Sequence, residues 1–231
     1  MKTIGLIGGM SWESSLEYYR LINKFTKKRL GKKHSAESLM YSVDFAEIEK
    51  MQHRGQWDLL KNKMINYAQK LKKGGADFIV ICTNTMHKLA ADIENEVDIP
   101  LIHIADAAAE SIKNQGLEKV ALLGTRFTME KDFYKDRLKE RGIEVIIPWE
   151  EEREIVHNTI YNELIDGLIL DKSREKFQKI INNLYVREAE GVVLGCTEIP
   201  LLIKEEDSPI PVFDTTELHA KSAVKFALKS C

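Results

Sequence analysis

Two cysteines stand in matching surroundings, Cys82 in "FIVICTNTMH" and Cys196 in "GVVLGCTEIP". Each ends an apolar run of strand type. Each is followed by a polar stretch that reads as a helix start, Thr83-Asn84-Thr85 in one case and Thr197-Glu198 in the other. A helix N-terminus presents unsatisfied backbone N–H groups and a partial positive charge. That environment binds a carboxylate, with threonine and asparagine side chains as further donors. It also favours thiolate over thiol, drawing a free-cysteine pKa of about 8.5 toward neutrality. A thiolate that removes a proton, and a thiol that returns one to the opposite face, together invert a stereocentre or isomerise a double bond without a cofactor. Either cysteine alone reads equally well as a small buried hydrophobe. The repetition of the context is what favours chemistry. No C-x-x-C pair is present for redox work, and Cys82 with His87 matches no structural zinc spacing.

The elements that must position these thiols follow a simple alternation. The runs "TIGLIGG", "LMYSVDF", "DFIVICT", "PLIHI", "KVALLGT", "EVIIP", "GVVLGCT" and "PVFDT" read as strands separated by helices, an α/β pattern with a mainly parallel sheet. In "WDLLKNKMINYAQKLKKGG" the residues Trp57, Leu60, Met64, Tyr67 and Leu71 form one apolar stripe closed by Gly74. Another helix is expected from about Ser14, with Ser14 and Glu17 as a capping box and a stop near Gly31. Gly142 and Gly167 end two later helices.

Three of the first four strand segments match segments of the second four in order: "TIGLIGG" with "KVALLGT", "GADFIVICTNT" with "AEGVVLGCTEI" and "DIPLIHIADA" with "PIPVFDTTEL". The offset is 116 residues from Ile4 to Val120, 114 from Cys82 to Cys196 and 111 from Pro100 to Pro211. This is an internal duplication of one long unit, giving two α/β halves: residues 1–104 plus 210–231 carry Cys82, and residues 105–209 carry Cys196. Ligands of open α/β sheets bind beyond the carboxyl ends of the strands. Halves related by a pseudo-two-fold axis would bring both thiols to one cleft. The turn "GLIGGMSWES" lacks G-x-G-x-x-G and a Walker lysine, so it is read as lining that cleft through Met10 and Ser11 rather than as a dinucleotide site. By the same analogy, "LLGTRFT" places Thr125 and Arg126 on the other rim.

Composition narrows the partners. The 231 residues are 44% hydrophobic and 30% charged with a net charge of −2, and acids and bases are interspersed. Neither nucleic acid nor an anionic membrane is expected. The basic run "KFTKKRLGKK" reads as a solvated helix end. No stretch approaches the roughly 20 apolar residues of a membrane span, and the N-terminus does not read as a secretory signal. Three cysteines, with Cys231 at a frayed end, argue against a disulfide framework and for a reducing, cytoplasmic compartment.

The segments "KTIGLIGGMSWES", "CTNTMHK", "LLGTRFTME", "GCTEI" and "PVFDT" resemble, in order and spacing, the aspartate/glutamate racemase family, in its branch of aspartate and broad-specificity amino-acid racemases. The resemblance covers essentially the whole chain. It implies two pseudo-symmetric Rossmann-like α/β halves, an amino-acid substrate, no pyridoxal phosphate or other cofactor, no metal, and a homodimer. It places the catalytic cysteines on Cys82 and Cys196, and substrate contacts on Met10, Gln52, Thr83, Asn84, Thr85 and Thr197. Arg54 or Arg126 would meet a side-chain carboxylate. Gln52 and Arg54 fall in "MQHRGQW", read as a loop folded over the cleft. His87 reads as a helix-face residue, and His157 is left without a role. Maleate isomerases and arylmalonate decarboxylases of the wider superfamily are the alternative enzymes. The non-enzymatic alternative is a protein that only holds a small dicarboxylate.

Overall fold

The computed structural model describes residues 1–229, so Cys231 lies outside the described residues. The chain divides into two compact units, Met1–His103 with the segment from His219 onward, and Ile104–Leu218.

The first unit is laid down as β1 (Ile4–Gly8), α1 (Trp12–Leu30), β2 (Ser38–Ser42), α2 (Phe45–His53), α3 (Trp57–Lys73), β3 (Phe78–Ile81), a 3₁₀ turn (Thr85–Leu89), α4 (Ala90–Glu96) and β4 (Leu101–Ile102). The second runs α5 (Ile104–Asn114), β5 (Lys119–Gly124), α6 (Arg126–Glu130), α7 (Asp132–Lys139), β6 (Glu144–Ile146), α8 (Glu150–Thr159), a π-helical turn (Ile160–Leu164), α9 (Asp171–Val186), β7 (Gly191–Gly195), α10 (Ile199–Leu202), a 3₁₀ turn (Glu205–Asp207) and β8 (Val212–Asp214). Helix α11 (Thr215–Leu228) follows, and the division between the units falls inside it.

Each unit holds one four-stranded, all-parallel sheet. The orders are β2-β1-β3-β4 and β6-β5-β7-β8, one topology written twice. All eight strand segments expected from the sequence are present among the described residues. The inner strands β1, β3 and β7 are buried on both faces because helices cover both, as parallel sheets require. In the first sheet Ile4, Leu6, Phe78, Val80 and Cys82 pack against α1 and α11, while Ile7, Ile79 and Ile81 face α3 and α4. In the second, Val120, Leu122 and Val193 face α5 and α7, and Ala121, Leu123, Val192, Leu194 and Cys196 face α8, α9 and α10.

Two expectations about boundaries change. Segment 210–218 belongs with the second unit, because Val212, Phe213 and Asp214 pair with Val192, Val193 and Leu194. Helix α1 starts earlier than Ser14: Ser11 is its N-cap, and its side chain accepts the Ser14 N–H. Glu17 therefore makes no capping box and instead pairs with Arg20 at 2.6 Å. The earlier start brings the first turn of α1 against the ends of β1 and β3. Ser15 Oγ accepts the Gly9 N–H at 2.7 Å, and Ser14 Oγ donates to the Cys82 carbonyl at 2.7 Å.

Gly9 makes that turn possible. Its φ is +88°, and a Cβ there would stand 2.2 Å from the Val43 carbonyl oxygen. Gly116, also at positive φ (+74°), has nothing within 4 Å of such a Cβ. Gly9→Ala is therefore expected to cost about 2–4 kcal/mol, from strain plus backbone collision, against about 1 kcal/mol for Gly116→Ala. Urea unfolding midpoints of the two variants check this, and equal losses would remove the collision from the account.

Candidate functional site

In both units the cysteine is the residue just beyond the last ladder pair of the inner strand. Ile81 pairs with Ile7 before Cys82, and Gly195 pairs with Gly124 before Cys196. The Cys82 N–H still donates to the Ile7 carbonyl at 2.9 Å. A shared pattern of exposure follows: a buried cysteine, a half-buried threonine (Thr83, Thr197), then a buried polar residue (Asn84, Glu198).

The two surroundings nevertheless differ, and the cause is one residue. Asp77 and Glu190 play equivalent parts at the strand starts, since each carboxylate accepts backbone N–H groups from the neighbouring strand's start, Thr3 for one and Glu118 and Lys119 for the other. From that anchor Cys82 is five residues on and Cys196 is six. With a side-chain period of two, one extra residue turns the thiol to the other face of its sheet. Cys82 joins the α1 and α11 side, whereas Cys196 joins the α8–α10 side.

Neither thiol is drawn toward thiolate, which corrects the expectation from helix starts. The segments that follow are a five-residue 3₁₀ turn and a four-residue helix, too short to carry much of a macrodipole. Cys82 is 0% exposed, and burial pushes its thiol far above the ordinary range. Cys196 is 8% exposed and is also pushed well up, first by burial and then by the Glu198 carboxylate. That carboxylate is a direct partner: Cys196 Sγ donates to Glu198 Oε2 at 2.9 Å, and Thr197 Oγ1 donates to the same oxygen at 2.8 Å. The equivalent residue after Cys82 is Asn84, which accepts no proton. Only the second thiol has a built-in proton acceptor two residues away.

The remaining expected residues scatter. Asn84 and Thr85 are buried beside Cys82, with Thr83 half-buried. Gln52 reaches this segment, its amide donating to Met86 Sδ at 3.0 Å, but it does so from inside α2 and not from a loop. Gly55 (φ +66°) only opens the turn into α3. Met10 packs in the core with Ile48, Ile81 and Met86. Ser11 is buried and spends its hydroxyl on the α1 cap. Arg54 caps the end of α2 and Arg126 begins α6; both are exposed. The Arg126 N–H donates to His157 Nδ1 at 3.3 Å, and Thr125 is the N-cap of that helix. Glu198 was visible in "CTEIP", but its role became legible only once its side chain was seen turned back onto Cys196.

Sequence reasoning also missed a group of histidines in the first unit. His87, His103 and His219 are all buried. Burial, together with His103 and His219, holds His87 well below the usual imidazole range, and burial lowers His219 to about 4. Both are therefore neutral in the folded protein and take up a proton on unfolding below pH 6.5. Stability is full above about pH 6.5 and is lost as pH falls toward 4, at up to about 1.4 kcal/mol per pH unit for each histidine. Urea unfolding at a series of pH values should show this slope. His219→Gln should reduce it by one proton, and an unchanged slope would mean that His219 titrates normally.

The chain was compared with known proteins. A sequence profile described as Asp/Glu/hydantoin racemase matches residues 7–223. A Yersinia pestis structure with a provisional Asp/Glu racemase assignment is 51% identical, with a TM-score of 0.94, and the match covers 99% of this chain and 100% of that one. An aspartate racemase homologue from Pyrococcus horikoshii OT3 is 38% identical, with a TM-score of 0.86 and coverage of 98% and 99%. The broad-specificity amino-acid racemase RacX of Bacillus subtilis (strain 168) is 26% identical over 231 residues, 96% of each chain. Duplicated parallel sheets, a cysteine at the same point of each, and a profile match over nearly the full length place this chain in the Asp/Glu/hydantoin racemase family, among the isomerases.

Proposed function

We propose that this chain is a cofactor-independent racemase of aspartate or glutamate, in which Cys82 and Cys196 form the acid–base pair. The observation that carries this reading is the repeated placement of a buried cysteine one residue past the sheet ladder, with a hydrogen-bonded carboxylate supplied to one of the two. RacX and the Pyrococcus horikoshii homologue, by their names, support an amino-acid substrate. A homodimer in the cytoplasm, and substrate contacts from Thr83, Asn84, Thr85, Thr197 and Gln52, complete the proposal. Arg54 or Arg126 would meet the side-chain carboxylate.

The buried thiols give a reason for an amino acid over a plain dicarboxylate. A desolvated thiol keeps its proton unless a positive charge arrives to favour thiolate. An amino-acid substrate brings an ammonium group with it. In one direction Cys196 passes its proton to Glu198 and becomes thiolate, then takes the α-proton; the Cys82 thiol delivers its proton to the opposite face of the carbanion. In the other direction Cys82, its proton released to solvent, is the thiolate that takes the α-proton, and the Cys196 thiol delivers its own to the opposite face. Because the Cys82 thiol has no comparable carboxylate, the two thiols draw on unequal assistance in becoming thiolate.

In deuterium oxide the enzyme should exchange the α-proton of L- and D-aspartate or glutamate with no added cofactor. Cys82→Ser and Cys196→Ser should each slow racemisation by at least about 10²-fold, the lower range for a general acid or base. Wild-type racemisation in both single variants would end the two-thiol mechanism, and tight binding without exchange would point to a dicarboxylate-binding protein. Glu198→Gln should lower kcat/KM for racemisation by about 10²-fold in both directions alike, because enantiomers have equal free energy, and should slow deuterium exchange most for the enantiomer whose α-proton Cys196 removes. Deuterium exchange into recovered L and D substrate, measured separately, checks this, and equal loss of exchange from both enantiomers would refute the asymmetry.

A further inference from the structure

The segment Cys82–Thr85 is backed by groups that the proposed reaction does not use. Ser14 holds the Cys82 carbonyl, and the next carbonyl, that of Thr83, accepts from His87 Nδ1 at 2.8 Å. A carbonyl only accepts, so this bond sets His87 as the Nδ1–H tautomer. His87 is 2% exposed, and its Nε2 has no hydrogen-bond partner. The ring stands edge-to-face with His103 at 4.7 Å and His219 at 5.3 Å between centroids. His219 is fixed at both nitrogens: Nε2–H donates to the Ile102 carbonyl at 2.7 Å, and Nδ1 receives the Tyr18 hydroxyl at 2.8 Å. The titratable groups packed against His87 are thus His103, from the end of β4, and His219, from α11, with Tyr18 of α1 behind His219. Among the described residues no group of three or more His, Cys, Asp or Glu is arranged to hold a metal ion.

A proton on His87 Nε2 would place a buried charge against two imidazoles with no partner. The two rings therefore do more than fill space. They hold His87 in the one protonation state and tautomer that leave Nδ1–H on the Thr83 carbonyl and nothing competing for it.

We propose that His87, as the neutral Nδ1–H tautomer walled in by His103 and His219, is the positioning residue that sets the backbone of the Cys82–Thr85 segment for the substrate. This rests on the racemase reading above. His87 touches no reacting atom; it acts through the Thr83 carbonyl.

The test compares His87→Leu, which removes the donor, with His87→Asn, whose side-chain amide can place an N–H where Nδ1 stood. Wild-type enzyme serves as the control for α-proton exchange. With thermal melts establishing the folded fraction, His87→Leu is expected to raise KM and lower kcat together, cutting kcat/KM by about 100-fold, the scale of a 1 Å misplacement. His87→Asn should recover most of that loss. Long-range ¹H–¹⁵N spectra of the wild-type protein should show one imidazole held as Nδ1–H and unprotonated to pH 5, and that signal should vanish in His87→Asn. The spectra decide the matter even if His87→Leu fails to fold. His87 found as the Nε2–H tautomer, wild-type kcat/KM in folded His87→Leu, or equal loss in both variants would overturn the proposal. No exchange by the wild type would instead bring down the racemase reading itself.

Discussion

A strand alternates its side chains between two faces, and in this chain that period decides where each thiol goes. The inner strands β3 and β7 start from equivalent anchors, Asp77 and Glu190, and both ladders end one residue before a cysteine. Because β7 is one residue longer than β3, Cys82 and Cys196 turn to opposite kinds of face within their own sheets. The first packs with α1 and α11, the second with α8 to α10. Everything particular to each thiol, from Ser14 on the Cys82 carbonyl to Glu198 on the Cys196 sulfur, depends on that turn. A duplicated unit has become two unlike sites by a change too small to disturb the topology.

Desolvation outweighs the local backbone field at both cysteines. The short helical segments after them offer a few N–H groups, whereas burial removes water entirely, and the second effect is the larger. The resting thiols therefore hold their protons, and in the proposed reaction reactivity would have to be supplied from outside the thiol. For Cys196 a carboxylate already in contact is one source; a cationic substrate group is a source available to both.

The backing of the Cys82 segment shows the same economy of charge. Tyr18, Ile102, His219, His87 and Thr83 are joined by rings in contact and three hydrogen bonds, drawn from α1, β4, α11 and the 3₁₀ turn. Every nitrogen of the two imidazole rings but His87 Nε2 is hydrogen-bonded in this chain. These bonds also tie the C-terminal helix to the first sheet, so the end of the chain helps to shape a segment some 130 residues earlier.

Much was legible in the sequence because it is local or periodic. Alternating strand and helix patterns, the stripe from Trp57 to Leu71, the doubled strand order and the paired cysteines all follow from spacing along the chain. Those signals were enough for the fold class and for Cys82 and Cys196 as the residues to watch. What the sequence could not carry were contacts between residues far apart and the protonation states that burial imposes. Tyr18 and His219 are 201 positions apart, and nothing in either neighbourhood names the other. The offset between the repeats was readable, yet its change of parity between Asp77 and Cys82 acquired meaning only with helices on both faces of each sheet. Gln52 reads as part of a loop until α2 is seen to continue through it. Composition and period determine which elements form and roughly where the chemistry lies. Which way a thiol points, what holds its proton and which histidine stays neutral are settled by packing, because desolvation and hydrogen-bond partners exist only once the chain has closed around them.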